Sequence, residues 1–358
     1  MRLLSFSLLA LLPLMARAAA MVKSNDDASA ESDINALDSA LPVANDSAVL
    51  STLALKDKGK GHGLNIVLSN DDRWAELNIR MIYDALTAAN HSVVLSAPAY
   101  DNSGKGSKDK PPAVLKKPGQ WDSIPAHAPP TGFNETEPRH NYVNSYPATS
   151  MKHGVNVVAP KFFDGNKPDL AVAGINVGKN MGLFNRFSGT YGAAIMADSM
   201  GIPAIAFSGA DGEHLPWNQN FIPEYLTLYS ELAVKIIDTL VANKQPWIDK
   251  GSFIAVNFPK LGKPSHSTCR KVEDFTFHLT AVSWLPFRIR HGKDVPTCGK
   301  KTLPLEQRVM KHRKKNVCPV TISVMNRKRD NAPKEKQSTV KENLRSILSC
   351  LPGSKGPL

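Results

Sequence analysis

The tripeptide Asn70-Asp71-Asp72, with two adjacent aspartates, stands directly after the apolar run Leu64–Ser69, which has the pattern of a short buried strand. Neighbouring carboxylates repel each other unless a cation neutralises them, and hard divalent ions such as Mg²⁺, Mn²⁺ and Ca²⁺ take oxygen ligands. The pair therefore indicates a metal site. Taken alone, it suits a turn or a helix N-cap equally well. The same tripeptide at Asn25–Asp27 follows no buried run, and we assign it no role.

Polar side chains also follow two later apolar runs. Ser103 lies in the loop after Ser92–Ala97, and Asn176 follows Asp169–Gly174 in a glycine-containing stretch. Hydroxyl and amide oxygens are neutral hard ligands, and glycine lets the backbone approach closely. Each loop alone also reads as an ordinary turn. Because the three loops leave successive strands at one edge of a sheet, we expect their side chains to meet there.

A third group of residues has the chemistry to hold phosphate. Ser188-Gly189-Thr190 opens a predicted helix, Thr190–Met200. The first N–H groups of a helix lack intrahelical partners and lie at the positive end of its dipole, so they bind anions. A metal site beside such a segment indicates phosphate chemistry.

Alternating strands and helices must position these loops. Their order predicts an α/β fold with a mainly parallel sheet, in which ligands bind beyond the carboxyl ends of the strands. The predicted strands are Leu64–Ser69, Ser92–Ala97, Asp169–Gly174, Pro203–Ser208 and Phe253–Phe258, and the predicted helices are Ala75–Ala89, Thr190–Met200 and Pro223–Asn243. Residues 101–150 are loop-like.

The chain beyond residue 260 changes in character. Phe275–Trp284 and Pro319–Met325 alternate apolar and polar residues, which predicts an antiparallel β-hairpin, and Thr339–Leu351 is a predicted helix. We expect residues 261–358 to form a basic C-terminal extension that completes the same domain as a core at 61–260.

Charge is distributed unevenly. The 358 residues carry 44 basic and 32 acidic side chains, a formal net charge of +12. Residues 1–250 hold 22 basic and 25 acidic residues, so the excess belongs to the last third. Lys311–Lys315 and Arg327–Arg329 flank a predicted strand there, and a hairpin would display both to nucleic acid or another polyanion. A solvated surface is the simpler interpretation.

The N-terminus resembles a secretory signal peptide at residues 1–18. Arg2 precedes the apolar run Leu3–Met15, which is too short to span a bilayer, and small residues follow. We expect a secreted soluble protein without a membrane span, with a mobile leader at 19–60. The possible glycosylation sites at Asn45, Asn90 and Asn134 fit secretion.

Four cysteines lie in the last third, and an even number in an exported chain favours disulfides. Three pairings are possible. We predict that neighbours pair, which gives Cys269–Cys298 and Cys318–Cys350.

The motifs LSNDD, SAPxxxxSG, PDLAVAGINVGKN and SGTYGAAIMADSMGIPAIAFS occur in this order and resemble the SurE family of metal-dependent phosphatases and nucleotidases. The resemblance covers about residues 64–260 and extends more loosely to the end, where it is similar to the exported fungal branch. It implies a Rossmann-like three-layer α/β/α core. It also implies hydrolysis of phosphomonoesters, notably nucleoside monophosphates, with Mg²⁺ or Mn²⁺ as cofactor and Ca²⁺ as a further candidate, and a homodimer formed through the C-terminal extension.

The resemblance also implies roles for individual residues. The metal ligands are Asp71, Asp72, Ser103 and Asn176, and either aspartate is the catalytic proton acceptor for in-line attack by water. Direct attack by Asp71 stays open. The resemblance implies that Asn180, Ser188, Gly189 and Thr190 lie beside the substrate phosphate, and we add Asn70 and Arg73 to this group as our own prediction.

Arg73 departs from the family pattern, which usually has glycine after the two aspartates. If that glycine has a positive φ, arginine strains the turn and tilts Asp72 away from the metal. Alternatively, the guanidinium grips a substrate phosphate through two hydrogen bonds. A rival interpretation follows from the first case: a secreted polyanion-binding protein, impaired in catalysis, that uses its basic third.

Overall fold

The computed structural model describes residues 63–261, 269–282, 294–311, 318–354 and 356–358. The predicted signal peptide and leader lie outside these residues. Nine strands of this part of the chain form one sheet. Their bounds are β1 Asn65–Ser69, β2 Ser92–Pro98, β3 Thr131–Asn134, β4 Glu137–Val143, β5 Leu170–Val177, β6 Ala204–Gly209, β7 Ser252–Phe258, β8 Phe275–Thr280 and β9 Cys318–Asn326.

The strand order places a switch point at the centre of the sheet. The order is β3-β4-β2-β1-β5-β6-β7-β9-β8, and all neighbours from β4 to β7 are parallel. The chain runs outward from β1 to β2 and β4, and then returns to the other side of β1 as β5. Open α/β sheets bind ligands outside the carboxyl ends of the strands where the order reverses in this way.

Helices cover both faces of the sheet. Successive strand residues point to opposite faces, and in β1 Ile66 and Leu68 belong to one buried apolar cluster whereas Val67 belongs to another. The helices are α1 Leu77–Ala88, α2 Pro147–His153, α3 Ala159–Phe162, α4 Gly189–Ser199, α5 Glu224–Val241, α6 Glu306–Lys311 and α7 Lys334–Asn343. Residues of α1 and α5 pack in the first cluster, and residues of α2 and α4 pack in the second. The predicted three-layer α/β/α fold with a mainly parallel sheet is confirmed.

Beyond residue 260 the strand pairing differs from the prediction. β9 pairs antiparallel with β7, and β8 pairs parallel with β9, so the predicted C-terminal hairpin is wrong. An alternating pattern shows that one face of a strand is buried, but it specifies neither the direction nor the neighbour. A hairpin does form between β3 and β4, within the region predicted to be loop-like. The last helix is Lys334–Asn343 instead of Thr339–Leu351.

The same topology explains the disulfides. They join Cys269 to Cys318 and Cys298 to Cys350, so the predicted pairing of neighbours is wrong. Cys269 lies shortly before β8 and Cys318 begins β9. Because these strands are parallel, with Phe275 opposite Cys318, their beginnings are adjacent and the two sulfurs can meet.

The basic cluster Arg327–Arg329 is not presented as one charged face. Arg327 is exposed but forms an ion pair with Asp198, Lys328 is exposed, and Arg329 is buried. Of the other cluster, residues 312–315 lie outside the described residues. Among the described helices, none is long and apolar enough to cross a membrane.

Candidate active site

The turn Asn70–Arg73 follows β1 at the switch point. The Nδ2 group of Asn70 donates to the Arg73 carbonyl at 3.0 Å, and its Oδ1 accepts from the Arg73 N–H at 3.2 Å. Both amide atoms are thus used inside the turn, and the side chain is buried. These bonds do not agree with the predicted contact between Asn70 and a phosphate, and they assign Asn70 to shaping the turn that presents Asp71 and Asp72.

Asp71 lies against the N-terminus of α4. One of its carboxylate oxygens accepts from the N–H of Gly189 at 3.0 Å, and the other accepts from the hydroxyl of Thr190 at 2.5 Å. A Cβ atom on Gly189 would lie 2.7 Å from Cβ of Asp71, so only glycine permits this approach. The helix N-terminus therefore binds the carboxylate of Asp71, and the Gly189 amide is not free to cradle a phosphate as predicted.

Asp72 has an oxygen that no protein group satisfies. Its Oδ2 accepts from the N–H of Val177 at 2.9 Å, whereas its Oδ1 is buried without a hydrogen-bond partner. Burial raises the pKa of Asp72 well above its usual value, and the charge of Asp71 raises it further. Burial also raises the pKa of Asp71, although its bonds to Thr190 oppose this shift. A buried carboxylate oxygen without a partner lowers the stability of the folded protein unless it binds a proton or a cation.

Thr190 links Asp71 to Asn176. Its Oγ1 lies 2.5 Å from Oδ1 of Asp71 and 3.1 Å from Oδ1 of Asn176. A hydroxyl has one proton, so it can donate to only one of these two acceptors at a time. The Nδ2 group of Asn176 donates to the carbonyls of Val177 and Gly178, and this fixes the orientation of the amide. The structure therefore brings Asp71, Asp72 and Asn176 together, as predicted for ends of neighbouring strands.

Ser103 lies in the exposed loop after β2. Its neighbour Asn102 donates its N–H to the carbonyl of Asp71 at 2.8 Å, which attaches the loop to the aspartate turn. Asp101 accepts from the N–H of Ser103 at 2.8 Å. The backbone of Ser103 is thus held at the same edge of the sheet, and the residue is exposed.

Arg73 has a strained backbone. Its φ is 153°, in the range that favours glycine. The side chain is only 4% exposed: the guanidinium bonds Glu76 at 2.7 Å, lies 3.4 Å from Asp101, and stacks over Trp121 with 4.7 Å to the ring centroid. The strain foreseen for this position is present. The predicted phosphate grip does not agree with these contacts, which connect Arg73 to the Ser103 loop through Asp101.

Asn180 and Ser188 lie on either side of Thr190. The Nδ2 group of Asn180 approaches the Thr190 hydroxyl at 3.4 Å. The hydroxyl of Ser188 caps α4 by accepting from the N–H of Tyr191 at 3.1 Å, and its own proton is free to be donated. Of the residues predicted to bind the substrate phosphate, these two and Thr190 are the ones that we keep as the phosphate-side group.

Four further residues support the site. Asn257 and Ser208 lie near the carboxyl ends of β7 and β6, where Asn257 bonds both backbone groups of Asn180 and Ser208 accepts from its side chain at 3.0 Å. The strand-end argument used for Asp71 would have found both. Glu306 and Arg329 contact the segment before α4 from the C-terminal extension, and no local sequence pattern indicates that contact.

The donor set suits a hard divalent cation. Two carboxylates, an amide oxygen and a hydroxyl come from Asp71, Asp72, Asn176 and Ser103, and all four ligands are oxygens. The unpartnered Oδ1 of Asp72 is the atom that a cation would stabilise most directly. No group of three or more His, Cys, Asp or Glu side chains with metal-binding geometry occurs in the described residues. A site here therefore depends on the neutral ligands Asn176 and Ser103.

Fold and site together define a Rossmann-like α/β/α protein with a cluster of acidic and neutral oxygen donors at the switch point of its sheet. Residues 66–280 match the family model described as survival protein SurE. The chain belongs to the SurE family.

Relatives of this chain carry phosphatase and nucleotidase names. It is 32% identical over 155 residues to an acid phosphatase of Yarrowia lipolytica, covering 42% of this chain and 43% of that protein. It is 37% identical over 117 residues to a 5′-nucleotidase SurE of Desulfatibacillum aliphaticivorans, covering 33% and 40%. The chain thus spans about two-fifths of the length of these relatives.

A solved structure supports the fold. The crystal structure of the SurE protein from Aquifex aeolicus superposes with a TM-score of 0.50 at 21% identity, and the match covers 78% of this chain and 98% of that one. At this identity the likeness bears on the fold alone.

Proposed function

We propose that this protein is a secreted, divalent-metal-dependent phosphomonoesterase that hydrolyses nucleoside monophosphates and other phosphate esters. Family membership and the names of the two relatives support the reaction class. The observation that carries the proposal is the buried, unpartnered Oδ1 of Asp72 beside Asp71 and Asn176. Mg²⁺ and Mn²⁺ are the cofactors that this oxygen set favours, and Ca²⁺ is a further candidate.

The residues of the site divide the work. Asp71, Asp72, Asn176 and Ser103 would hold a divalent ion, which would supply Lewis-acid assistance at a phosphate oxygen. Ser188 orients the phosphate by donating its free hydroxyl proton to a phosphate oxygen, next to Asn180 and Thr190, whose donors are held by Ser208 and Asp71. The surrounding burial excludes bulk water, which strengthens these contacts.

Either aspartate is a candidate proton acceptor for the attacking water, and Oδ1 of Asp72, which carries no protein hydrogen bond, is also the atom assigned to the cation. Both oxygens of Asp71 are engaged by Gly189 and Thr190, whereas one oxygen of Asp72 is not. The same bonds argue against an aspartyl-phosphate on Asp71, because a nucleophilic oxygen would first have to leave its donor. Acid quenching during turnover of ³²P-labelled substrate tests this: we expect no labelled protein, and label on Asp71 would contradict the assignment.

The test of the function is hydrolysis of p-nitrophenyl phosphate, 5′-AMP and 3′-AMP, with and without Mg²⁺ or Mn²⁺. Wild type is expected to be active only with metal, and Asp72→Asn to lose at least about 100-fold in kcat/KM. Asp198→Asn is the matched control, since Asp198 is also buried but bonds Arg327 and Gly251. It should keep wild-type kinetics.

Inactivity of wild type with recovery in Arg73→Gly would favour the polyanion-binding alternative. Binding of that kind should map to residues 260–345 and weaken steeply with salt. The burial of Arg329 and the pairing of Arg327 count against it, because burial takes one charge off the proposed surface and the ion pair with Asp198 offsets another.

Secretion and dimerisation are part of the proposal. The two disulfides support an oxidising compartment, because such bonds persist outside the cytosol. Recovery of the processed protein from culture medium tests secretion. Light scattering of the full chain tests the homodimer that we expect through the C-terminal extension.

A further inference from the structure

Arg329 reaches from the C-terminal extension to the loops of the active site. It lies in the turn after β9, where Oδ1 of Asn326 accepts from the N–H groups of Lys328 at 2.8 Å and Asp330 at 3.2 Å. Its φ is 67°, a conformation uncommon for a residue with a side chain. The turn directs the guanidinium into the protein, where the residue is only 9% exposed.

The guanidinium joins two loops that carry predicted site residues. Its Nη1 donates to the carbonyls of Asn185 at 2.5 Å and Ser188 at 3.0 Å, and its Nη2 donates to Oγ of Ser107 at 2.9 Å. Ser188 caps α4, and Ser107 lies four residues after Ser103. One planar cation thus bonds both the phosphate-side segment and the loop of a metal ligand.

The two loops are also in direct contact with each other, so the hydrogen bonds of Arg329 act on a pair of loops that already touch. The N–H of Gly106 donates to the carbonyl of Phe187 at 3.0 Å. A Cβ atom on Gly192 of α4 would lie 1.9 Å from the carbonyl oxygen of Gly106. Because the backbones already touch, a shift of either loop displaces the other.

Arg329 carries its charge without a bonded carboxylate. No ion pair within 4 Å joins it to an acidic side chain of the described residues, and its bonded partners are two carbonyls and a hydroxyl. Burial lowers the pKa of Arg329 to about 10, and the charge of Asp71 opposes that shift. The guanidinium therefore stays charged at neutral pH and attracts Asp71 across the segment that it holds.

We propose that Arg329 is a positioning residue of the active site: its guanidinium fixes the Ser103 loop and the Ser188–Thr190 segment relative to Asp71. This inference rests on the proposed phosphomonoesterase function. It gives the C-terminal extension a role in arranging the active site.

The experiment compares Arg329→Ala and Arg329→Lys with Arg327→Ala as the matched control. Arg327 lies on the same turn and pairs with Asp198, so its loss should lower the melting temperature but leave kinetics unchanged. Arg329→Ala is expected to lower kcat/KM for p-nitrophenyl phosphate by about 100-fold, the usual effect of a misplaced catalytic group. Arg329→Lys should recover little, because one ammonium does not replace a planar fork that bonds three acceptors.

Two readouts separate positioning from general stability. Free guanidinium at tens of millimolar, added equally to all variants, should restore activity at least tenfold in Arg329→Ala and in no other. The rise in melting temperature caused by Mn²⁺ should shrink in Arg329→Ala and persist in Arg327→Ala. Kinetics within twofold of wild type, or parallel losses in both variants without rescue, would overturn the proposal.

The experiment still tests the proposal if a variant does not fold or if the wild type is inactive. Should Arg329→Ala not fold, Arg329→Lys decides, and wild-type kinetics in it overturn the proposal. If wild type hydrolyses no ester, the proposed function fails, and the Mn²⁺-induced shift in Arg329→Ala decides about positioning. A wild type that is inactive and unshifted by Mn²⁺ overturns both.

Discussion

Glu306 of α6 is fully buried behind the segment that leads to α4. Its Oε1 accepts from the N–H of Gly182 at 3.0 Å and from Nδ2 of Asn185 at 3.4 Å, whereas its Oε2 has no partner. Burial raises the pKa of Glu306 from 4.5 to about 7. Tyr191, which faces it, stays neutral in this range because burial raises its pKa as well.

This raised pKa makes the stability depend on pH in a defined direction. Between pH 4.5 and about 7 the folded protein holds a proton on Glu306 that the unfolded chain has released, so stability falls as the pH rises. The shift corresponds to about 3 kcal/mol in the free energy of unfolding, fully lost above pH 8.

Glu306→Gln isolates this contribution. Glutamine keeps an oxygen acceptor for Gly182 and carries no charge. The free energy of unfolding of the variant should therefore equal that of wild type near pH 4 and exceed it by up to about 3 kcal/mol at pH 8. Urea unfolding of both proteins with disulfides intact, at pH 4, 6 and 8, measures this difference in the free energy of unfolding. The contributions of all other titrating groups are the same in both proteins and cancel. A difference that does not change with pH, or one that grows toward acid, would refute the reasoning.

Three further predictions concern other parts of the structure. Gly189→Ala should lower kcat/KM at least about tenfold, because its Cβ would displace Asp71; unchanged steady-state kinetics would show that the turn adapts. Arg73→Gly should relieve backbone strain but leave the buried Glu76 without its cation, for a net loss of about 2 kcal/mol in urea unfolding; a more stable variant would show that strain dominates. Replacing both Cys269 and Cys318 by serine opens a link between residues 49 apart and should cost about 4 kcal/mol at most; a denaturation midpoint equal to that of wild type would contradict this.

Residues at strand ends were predictable because their position follows from local pattern. Asp71 and Asn176 each follow a buried apolar run, and parallel strands bring such ends to one edge of the sheet. Asn70 shows the limit of this rule. Its place is correct, but whether its amide faces a ligand or closes a turn depends on hydrogen bonds that composition does not encode.

Contacts over long sequence separation were not predictable. Arg329 bonds Ser188, 141 residues away, and Glu306 bonds Gly182, 124 residues away. Both stand in a basic segment whose charge suggests a solvated surface. The wrong prediction of the disulfide pairing has the same origin. The correct pairing follows from the parallel alignment of β8 with β9, whereas the alternation of apolar and polar residues is the same for parallel and antiparallel strands.

The position of β9 between β7 and β8 has a consequence for biosynthesis. β8 is made before the strand that holds it in the sheet, and β7 keeps an open edge until residues 318–326 have left the ribosome. The order of translation therefore delays closure of the sheet, and with it the docking of Arg329, until β9 and the turn that follows it have been synthesised. A nascent chain of this topology cannot complete its sheet before β9 has been made.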